Sequence, residues 1–133
     1  MRVVHLSYYY GNNISGAPVA AMRLHNALLR KGIESCFICT DQRMQGINIL
    51  RIPRSRYLSR LFYLLTRGMW VLSRILLGRM LMTNILPLPG FCKEIRKIHP
   101  DIIHVHFISQ DMLSFSQLAS LRVPIVFTLR CKP

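Results

Sequence analysis

Two histidines in the second half of the chain have the type and spacing for chemistry. His104 and His106 stand two residues apart in the apolar run 101–107. On a β-strand, side chains alternate between the two faces, so both imidazoles are predicted to share one face. Such a pair could contact a substrate, bind a metal ion together with a third ligand, or serve only packing. The nearest third ligand, Asp111, follows at no recognisable ligand spacing, so the sequence predicts no metal site.

Cys36 and Cys39 form the other spaced pair of potential ligands. They fall in the β-type run 35–40, and positions three apart on a strand point to opposite faces. The sequence has no second cysteine pair at zinc-ribbon spacing. Residues 1–6 lack a secretory start, so we expect reduced thiols and neither zinc nor redox chemistry at this pair.

The segment 8–17 could bind an anion through its backbone. It is rich in glycine, asparagine and serine and joins a predicted strand over 2–7 to a predicted helix over 18–31. Such a loop lies at the carboxyl edge of a parallel sheet, where a helix N-terminus offers free amides. Gly16 and Ala17 would let the backbone approach a ligand closely. The segment lacks the G-x-G-x-x-G pattern, and an ordinary tight turn explains it equally well.

A basic and strongly apolar segment, residues 54–89, separates the two halves of the chain. On a helix, four of its arginines fall within about 40° of one another. They are Arg56, Arg60, Arg67 and Arg74. A spanning helix would place two of them in the hydrocarbon at roughly 2.5–3.5 kcal/mol each, whereas an interfacial helix gains about 1 kcal/mol per basic residue at an anionic surface. With Trp70 and many leucines on its apolar side, the segment predicts an interfacial membrane anchor.

Two alternatives stand beside the membrane anchor. The segment could be a core helix whose arginines face water. The arginines could also bind nucleic-acid phosphates while neighbouring aromatic rings stack on bases. No RNA-binding motif accompanies them and the aromatic residues lie among leucines, so we do not expect a nucleic-acid partner.

Short β-type and helical runs alternate along the rest of the chain. The predicted strands cover 2–7, 35–40, 47–52, 101–107 and 124–129, and the predicted helices cover 18–31, 54–82, 91–98 and 112–121. This alternation predicts an α/β fold, a partial Rossmann-like doubly wound sheet of about five parallel strands. The segment 54–89 is expected to be a helical, peripheral insertion. A length of 133 residues predicts a single domain.

The composition indicates a folded chain with anionic partners. Hydrophobic residues make up 51% and charged residues only 17%, which excludes an intrinsically disordered chain. The formal net charge is +13, and no acidic residue lies between Asp41 and Glu94. Such a field of one sign favours phospholipid, nucleic acid or a phosphorylated substrate. We expect a cytoplasmic location, peripheral at the inner face of the cell membrane.

Five stretches resemble family 4 glycosyltransferases of GT-B architecture, especially those of bacterial exopolysaccharide and colanic-acid type. The stretches are 13–17 (NISGA), 20–28 (AAMRLHNAL), 31–35 (KGIES), 100–107 (PDIIHVHF) and 124–129 (PIVFTL), in the order of that family. The resemblance covers residues 1–40 and 90–129. It implies the acceptor-side domain of an enzyme that transfers a sugar from a nucleotide-sugar donor to a polysaccharide or lipid-linked acceptor. It implies no cofactor besides the donor substrate.

The resemblance also implies which residues contact substrate. They are Gly16, Ala17, Arg23, His25, His104 and His106. In the family, the first glycine loop lies near the donor phosphates and the His-x-His pair lies near the acceptor pocket. The arginine and histidine on the first helix are weaker candidates, and a surface or helix-packing role is the alternative for His25.

The sequence departs from the family at its end. After the last strand the family typically has Thr-Leu-His-Asp, with the histidine at the catalytic cleft, whereas this chain has Thr128-Leu-Arg130-Cys. Arg130 replaces the expected histidine, so no catalytic residue is identified. The family binds the donor with a carboxyl-terminal domain that we do not expect within this chain, so the domain is expected to be incomplete and inactive alone. The alternative is a non-catalytic membrane-binding α/β module that scaffolds or regulates a partner enzyme.

Overall fold

The computed structural model describes residues 1–11, 16–52, 56–78, 90–107 and 112–128, without the side chains of 56–60, 62, 63, 66, 70 and 107. The strands are β1 (Arg2–Ser7), β2 (Tyr9–Tyr10), β3 (Glu34–Cys39), β4 (Asp41–Gln42), β5 (Ile49–Arg51), β6 (Ile102–Phe107) and β7 (Ile125–Phe127). The helices are α1 (Gly16–Arg30), α2 (Arg56–Leu77), α3 (Phe91–Ile98) and α4 (Phe115–Ala119).

Five strands form one parallel sheet in the order β5-β3-β1-β6-β7. The central strand β1 pairs with β3 through Val4↔Cys36 and with β6 through Val4↔Ile103. The two short strands β2 and β4 form a separate parallel pair. The predicted α/β class and the predicted number of parallel strands are confirmed, and the strand order is consistent with a Rossmann-like fold.

Apolar side chains fill a core on each face of the sheet. On one face Val4 and Leu6 of β1 pack with Ile95 of α3 and Leu118 of α4. On the other, Ala21 and Met22 of α1 pack with Phe37 and Cys39 of β3. Strand β3 contributes alternate residues to the two cores, Cys36 and Ile38 to the first and Phe37 and Cys39 to the second, as the period of two in a strand requires. The sheet therefore lies between α1 on one side and α3 with α4 on the other.

Local signals in the sequence set where three helices end or begin. Helix α1 ends in a Schellman arrangement, with Ile33 N–H donating to the Leu28 carbonyl and Gly32 at φ 74°. Helix α3 ends at His99, which adopts a left-handed conformation before Pro100. Helix α4 begins with a capping box between Ser114 and Gln117. These caps confirm the predicted ends near 31 and 98.

Two predicted helices, α1 and α4, have different bounds in the structure. Helix α1 begins at Gly16, two residues before the predicted start, so Gly16 and Ala17 belong to its first turn. Helix α4 covers only Phe115–Ala119 of the predicted 112–121, because the Ser114 cap delays its start. Within the predicted helical segment 54–89, α2 runs from Arg56 to Leu77. Residues 53–55 and 79–89 lie outside the described part of the chain.

Most of the described side chains of α2 are apolar and exposed. Its exposed residues include Leu61, Leu64, Leu65, Met69, Leu72, Ile75, Leu76 and Leu77. At 100° per residue, Leu65, Leu72 and Leu76 lie opposite Arg67 and Arg74. Within the described ranges, no helix combines the length and hydropathy needed to cross a membrane. A helix packed in the core would bury these side chains, so their exposure argues against a core position for α2.

Candidate functional site

The direction in which the sheet grows reverses between β1 and β6. The chain adds β3 and β5 on one side of β1, then crosses to the other side for β6 and β7. In open parallel sheets, ligands bind outside the carboxyl ends of the strands at such a switch point. The chemistry-bearing residues of β1 and β6 therefore lie where this fold places its ligands.

Three histidines meet at this switch point. His104 and His106 of β6 lie on one face, with ring centroids 4.0 Å apart, which confirms the shared face predicted from their spacing. His5 of β1 lies opposite His104 in the register of the sheet. Its Nδ1 lies 3.0 Å from Nε2 of His106, so the two imidazoles share a hydrogen bond. The cluster joins residues about 100 positions apart in sequence.

A hydroxyl from the next strand orients one ring of the cluster. Thr128, directly after β7, places its Oγ1 2.7 Å from Nε2 of His104. This hydrogen bond occupies one nitrogen of the half-buried His104 ring and leaves Nδ1 for another partner. Thr128 is thus a positioning residue at the same edge of the sheet.

Two rings of the cluster, those of His5 and His104, favour the neutral form. Burial, reinforced by the neighbouring imidazoles of His106 and His104, lowers the pKa of His5 to about 3. Burial also lowers the pKa of His104. Neutral imidazoles keep a lone pair on one ring nitrogen, so at neutral pH these rings can accept hydrogen bonds or act as metal ligands.

Three buried polar atoms in this region have no hydrogen-bond partner among the described residues. They are Nε2 of His5, Oγ of Ser7 and Oγ1 of Thr40. Ser7 ends β1 and Thr40 directly follows β3, so both hydroxyls lie at the carboxyl edge. An unsatisfied buried polar group costs about 1–3 kcal/mol, and such groups are often satisfied by a ligand or ordered water. The edge therefore retains unused hydrogen-bonding capacity.

His25 of α1 lies beneath this region and is fully buried. Its Nδ1 lies 2.7 Å from Oγ of Ser35, and its Nε2 lies 2.9 Å from the carbonyl oxygen of Ile47. Burial lowers its pKa, with the Ile47 carbonyl acting in the opposite direction. Both ring nitrogens are occupied by the chain itself, which leaves neither for a ligand. The geometry is that of a helix-packing histidine.

The other residues predicted on α1 lie at its amino-terminal half. Gly16 is exposed and Ala17 half-buried in the first turn, where backbone amides lack partners within the helix. Arg23 is exposed one turn further along. Residues 12–15, which precede the helix, lie outside the described ranges. The first turn thus lies at the start of a helix that packs against β1 and β3.

The cysteine pair is structural. Cys36 packs against the core that contains Val4, whereas Cys39 belongs to the core on the other face, as the spacing predicted. Burial raises the pKa of Cys36 and raises that of Cys39 to about 12. Both thiols are free, so neither a disulfide nor a reactive thiolate is present here.

All the residues predicted to bind a membrane belong to α2, but only two of them have described side chains. Arg67 and Arg74 have exposed side chains. Arg56, Arg60 and Trp70 lie on the same helix, but their side chains are outside the described set. Asp111 and Arg130 also lie outside the described ranges.

His5, Ser7, Thr40 and Thr128 were missed as site residues in the sequence. Each is a single polar residue in or next to an apolar β-type run, and such a residue at the carboxyl end of a parallel strand was the available signal. To recognise that these residues lie close together, one needs the strand order and the register of the sheet, which the sequence pattern does not contain.

Comparisons of the chain with family models, with curated proteins and with solved structures found no match.

Proposed function

We propose that the chain is the acceptor-side domain of a glycosyltransferase that transfers a sugar from a nucleotide-sugar donor to a polysaccharide or lipid-linked acceptor. The observation that carries the proposal is the histidine-lined carboxyl edge at the switch between β1 and β6. His104 and His106, which the sequence resemblance associates with an acceptor pocket, lie at this edge. A parallel sheet with this strand order is the fold that such a domain requires.

The chemistry of the edge suits a sugar. A sugar presents hydroxyl groups that both donate and accept hydrogen bonds, and neutral imidazoles do the same. The unpartnered hydroxyls of Ser7 and Thr40 add two more groups of this kind. Buried polar groups that only a hydroxyl-bearing ligand satisfies give strong discrimination against ligands without it. The first turn of α1, with Gly16 and Ala17, supplies amides for a phosphate nearby.

In this proposal, helix α2 binds the membrane. Its apolar face and its arginine stripe fit a helix that lies in the interface of an anionic bilayer at the cytoplasmic face. Arg67 and Arg74 would face lipid phosphates while Leu65, Leu72 and Leu76 enter the acyl boundary. A lipid-linked acceptor would then reach the sheet from the same surface that holds the domain. The basic helical insertion is thus the part of the domain that recruits it to its substrate.

Donor binding is assigned to a second domain. In the resembling family, the nucleotide sugar is held by glutamates of a carboxyl-terminal domain, and the cleft histidine corresponds to Arg130 here. We therefore expect the 133-residue chain to bind acceptor but to turn over no nucleotide sugar.

Ligand-observed NMR on the full chain tests acceptor binding. The probe is a polyprenyl diphosphate carrying one sugar, held in anionic vesicles. Saturation transferred to the sugar protons is expected for the wild type and lost in His106→Gln. His99→Asn, which removes an exposed histidine elsewhere, is the matched control and should keep the signal. A sugar signal that is absent in the wild type, or unchanged in His106→Gln, would contradict the proposal.

A second candidate function rests on α2 alone. The exposed apolar face also fits a non-catalytic module that binds the membrane and scaffolds or regulates a partner enzyme. The same experiment separates the two, because a scaffold binds the vesicles without any saturation transfer to the sugar.

A further inference from the structure

The histidine cluster contains three potential metal ligands rather than the two visible in the sequence. His5, His104 and His106 each offer one ring nitrogen, and these nitrogens lie within 4.8 Å of one another. The three come from two adjacent strands paired in fixed register, so the sheet itself holds them together. The third ligand that the spacing of His104 and His106 lacked is supplied by β1.

The ligand set matches one class of ion. Three neutral imidazoles suit Zn²⁺, which takes nitrogen ligands at about 2.0–2.1 Å and adopts tetrahedral geometry. That geometry separates ligand nitrogens by roughly 3.3 Å. The nitrogens must therefore approach one another by at most about 1.5 Å, a movement that ring rotation can provide in the half-buried His104 and His106.

Two further observations point to a ligand at this position. Nε2 of the fully buried His5 has no hydrogen-bond partner among the described residues. Thr128 Oγ1, at 2.7 Å from His104 Nε2, is an outer partner of the kind that fixes the ring of a metal-binding histidine.

We propose that His5, His104 and His106 form a Zn²⁺ site at the switch point of the sheet. Three protein ligands leave the fourth position of a tetrahedral ion open to water or to an oxygen of a bound molecule. The fourth ligand would enter from the carboxyl edge, near which the half-buried His106 lies on β6. The site goes beyond acceptor binding and does not depend on it.

Calorimetric titration of the full chain with Zn²⁺ tests the site, with Co²⁺ absorption in the visible range as a second readout of tetrahedral nitrogen coordination. We expect one ion per chain. His106→Gln should weaken binding by more than about 100-fold, and Thr128→Val by about 10- to 100-fold, since loss of an outer partner has that effect. His99→Asn, which removes a histidine outside the cluster, should bind as the wild type does.

Three results would overturn the site. The first is no saturable binding by the folded wild type. The second is undiminished binding in His106→Gln, which would place the ion on other ligands such as the cysteines. The third is equal weakening in His99→Asn. Far-UV circular dichroism of each variant establishes that it is folded, and His104→Gln serves as the second ligand variant. Sugar-probe NMR on metal-free protein measures acceptor binding without Zn²⁺. Failure of the metal site and failure of acceptor binding can therefore be told apart.

Discussion

The carboxyl edge of the sheet and helix α2 depart from ordinary burial in opposite directions. At the edge, polar atoms of His5, Ser7 and Thr40 are buried without partners among the described residues. On α2, several leucines and Ile75 are exposed, Ile75 to 73%. Folding normally buries apolar groups and pairs polar ones, so each region lacks something that the rest of the fold has. Under the proposed function, the two regions take partners of opposite chemistry, a polar ligand at the edge and an apolar surface at α2.

The largest expected effect concerns how much a leucine of the core and a leucine of α2 each contribute to the free energy of unfolding. Leu6→Ala should lower the free energy of unfolding by about 2–5 kcal/mol, because Leu6 is fully buried in the core. Leu76→Ala should change it by less than about 0.5 kcal/mol, because Leu76 is 70% exposed. Urea denaturation measures both. A similar loss of unfolding free energy in both variants would mean that Leu76 is packed against other residues in solution. The core and α2 would then not differ in apolar burial.

The second prediction concerns the polar region and pH. The pKa of His5 is lowered to about 3, and burial also lowers the pKa values of His25 and His104. Below about pH 6.5 the unfolded chain binds more protons than the folded one, so stability falls as pH falls toward the folded values. Each excess proton contributes roughly 1 kcal/mol per pH unit.

Urea denaturation between pH 7 and 5 measures this slope above the range where carboxylates titrate. We expect the free energy of unfolding to fall by about 2 kcal/mol or more over that interval. His104→Gln should reduce the slope and His99→Asn should not. A free energy of unfolding that stays constant over the interval would show that the cluster accepts protons when folded.

The third prediction concerns the apolar face of α2. Leu65→Gln combined with Leu72→Gln should weaken binding to anionic vesicles by roughly 30-fold. The estimate takes about half of each leucine's hydrophobic surface as entering the acyl boundary, about 2 kcal/mol together. Ile47→Gln removes an even more exposed apolar residue outside α2 and should have no effect. Vesicle co-sedimentation measures all three proteins, and equal binding by the double variant and the control would exclude α2 as the membrane surface.

The smallest expected effect concerns the charge on the same helix. Arg74→Gln should weaken binding to anionic vesicles by about fivefold, since a basic residue at such a surface is worth about 1 kcal/mol. Raising the salt concentration should remove the difference, because screening weakens exposed charges. Arg30→Gln, on α1, is the control. A salt-independent effect of Arg74→Gln would point to a structural role instead.

Local sequence patterns predicted much of the fold but only part of the candidate site. The run 101–107 predicted β6 and the shared face of its histidines, because a strand has a fixed period of two. The link to His5 was not predictable, since it depends on which strands are neighbours and in what register. The late start of α4 was missed although Ser114 and Gln117 carry a capping-box pattern. Gly16 was placed in a loop because Pro18 suggested a later helix start.

The measurement that tests the account most directly is photo-crosslinking of the full chain with a polyprenyl diphosphate-linked sugar. One version of the probe carries a diazirine on the sugar, and the other carries it on the lipid. Peptide mapping should find the sugar adducts within 2–10 and 102–107 and the lipid adducts within 56–77. Sugar adducts on α2, or lipid and sugar adducts on the same peptides, would contradict the assignment of a polar ligand to the sheet edge and a membrane to α2.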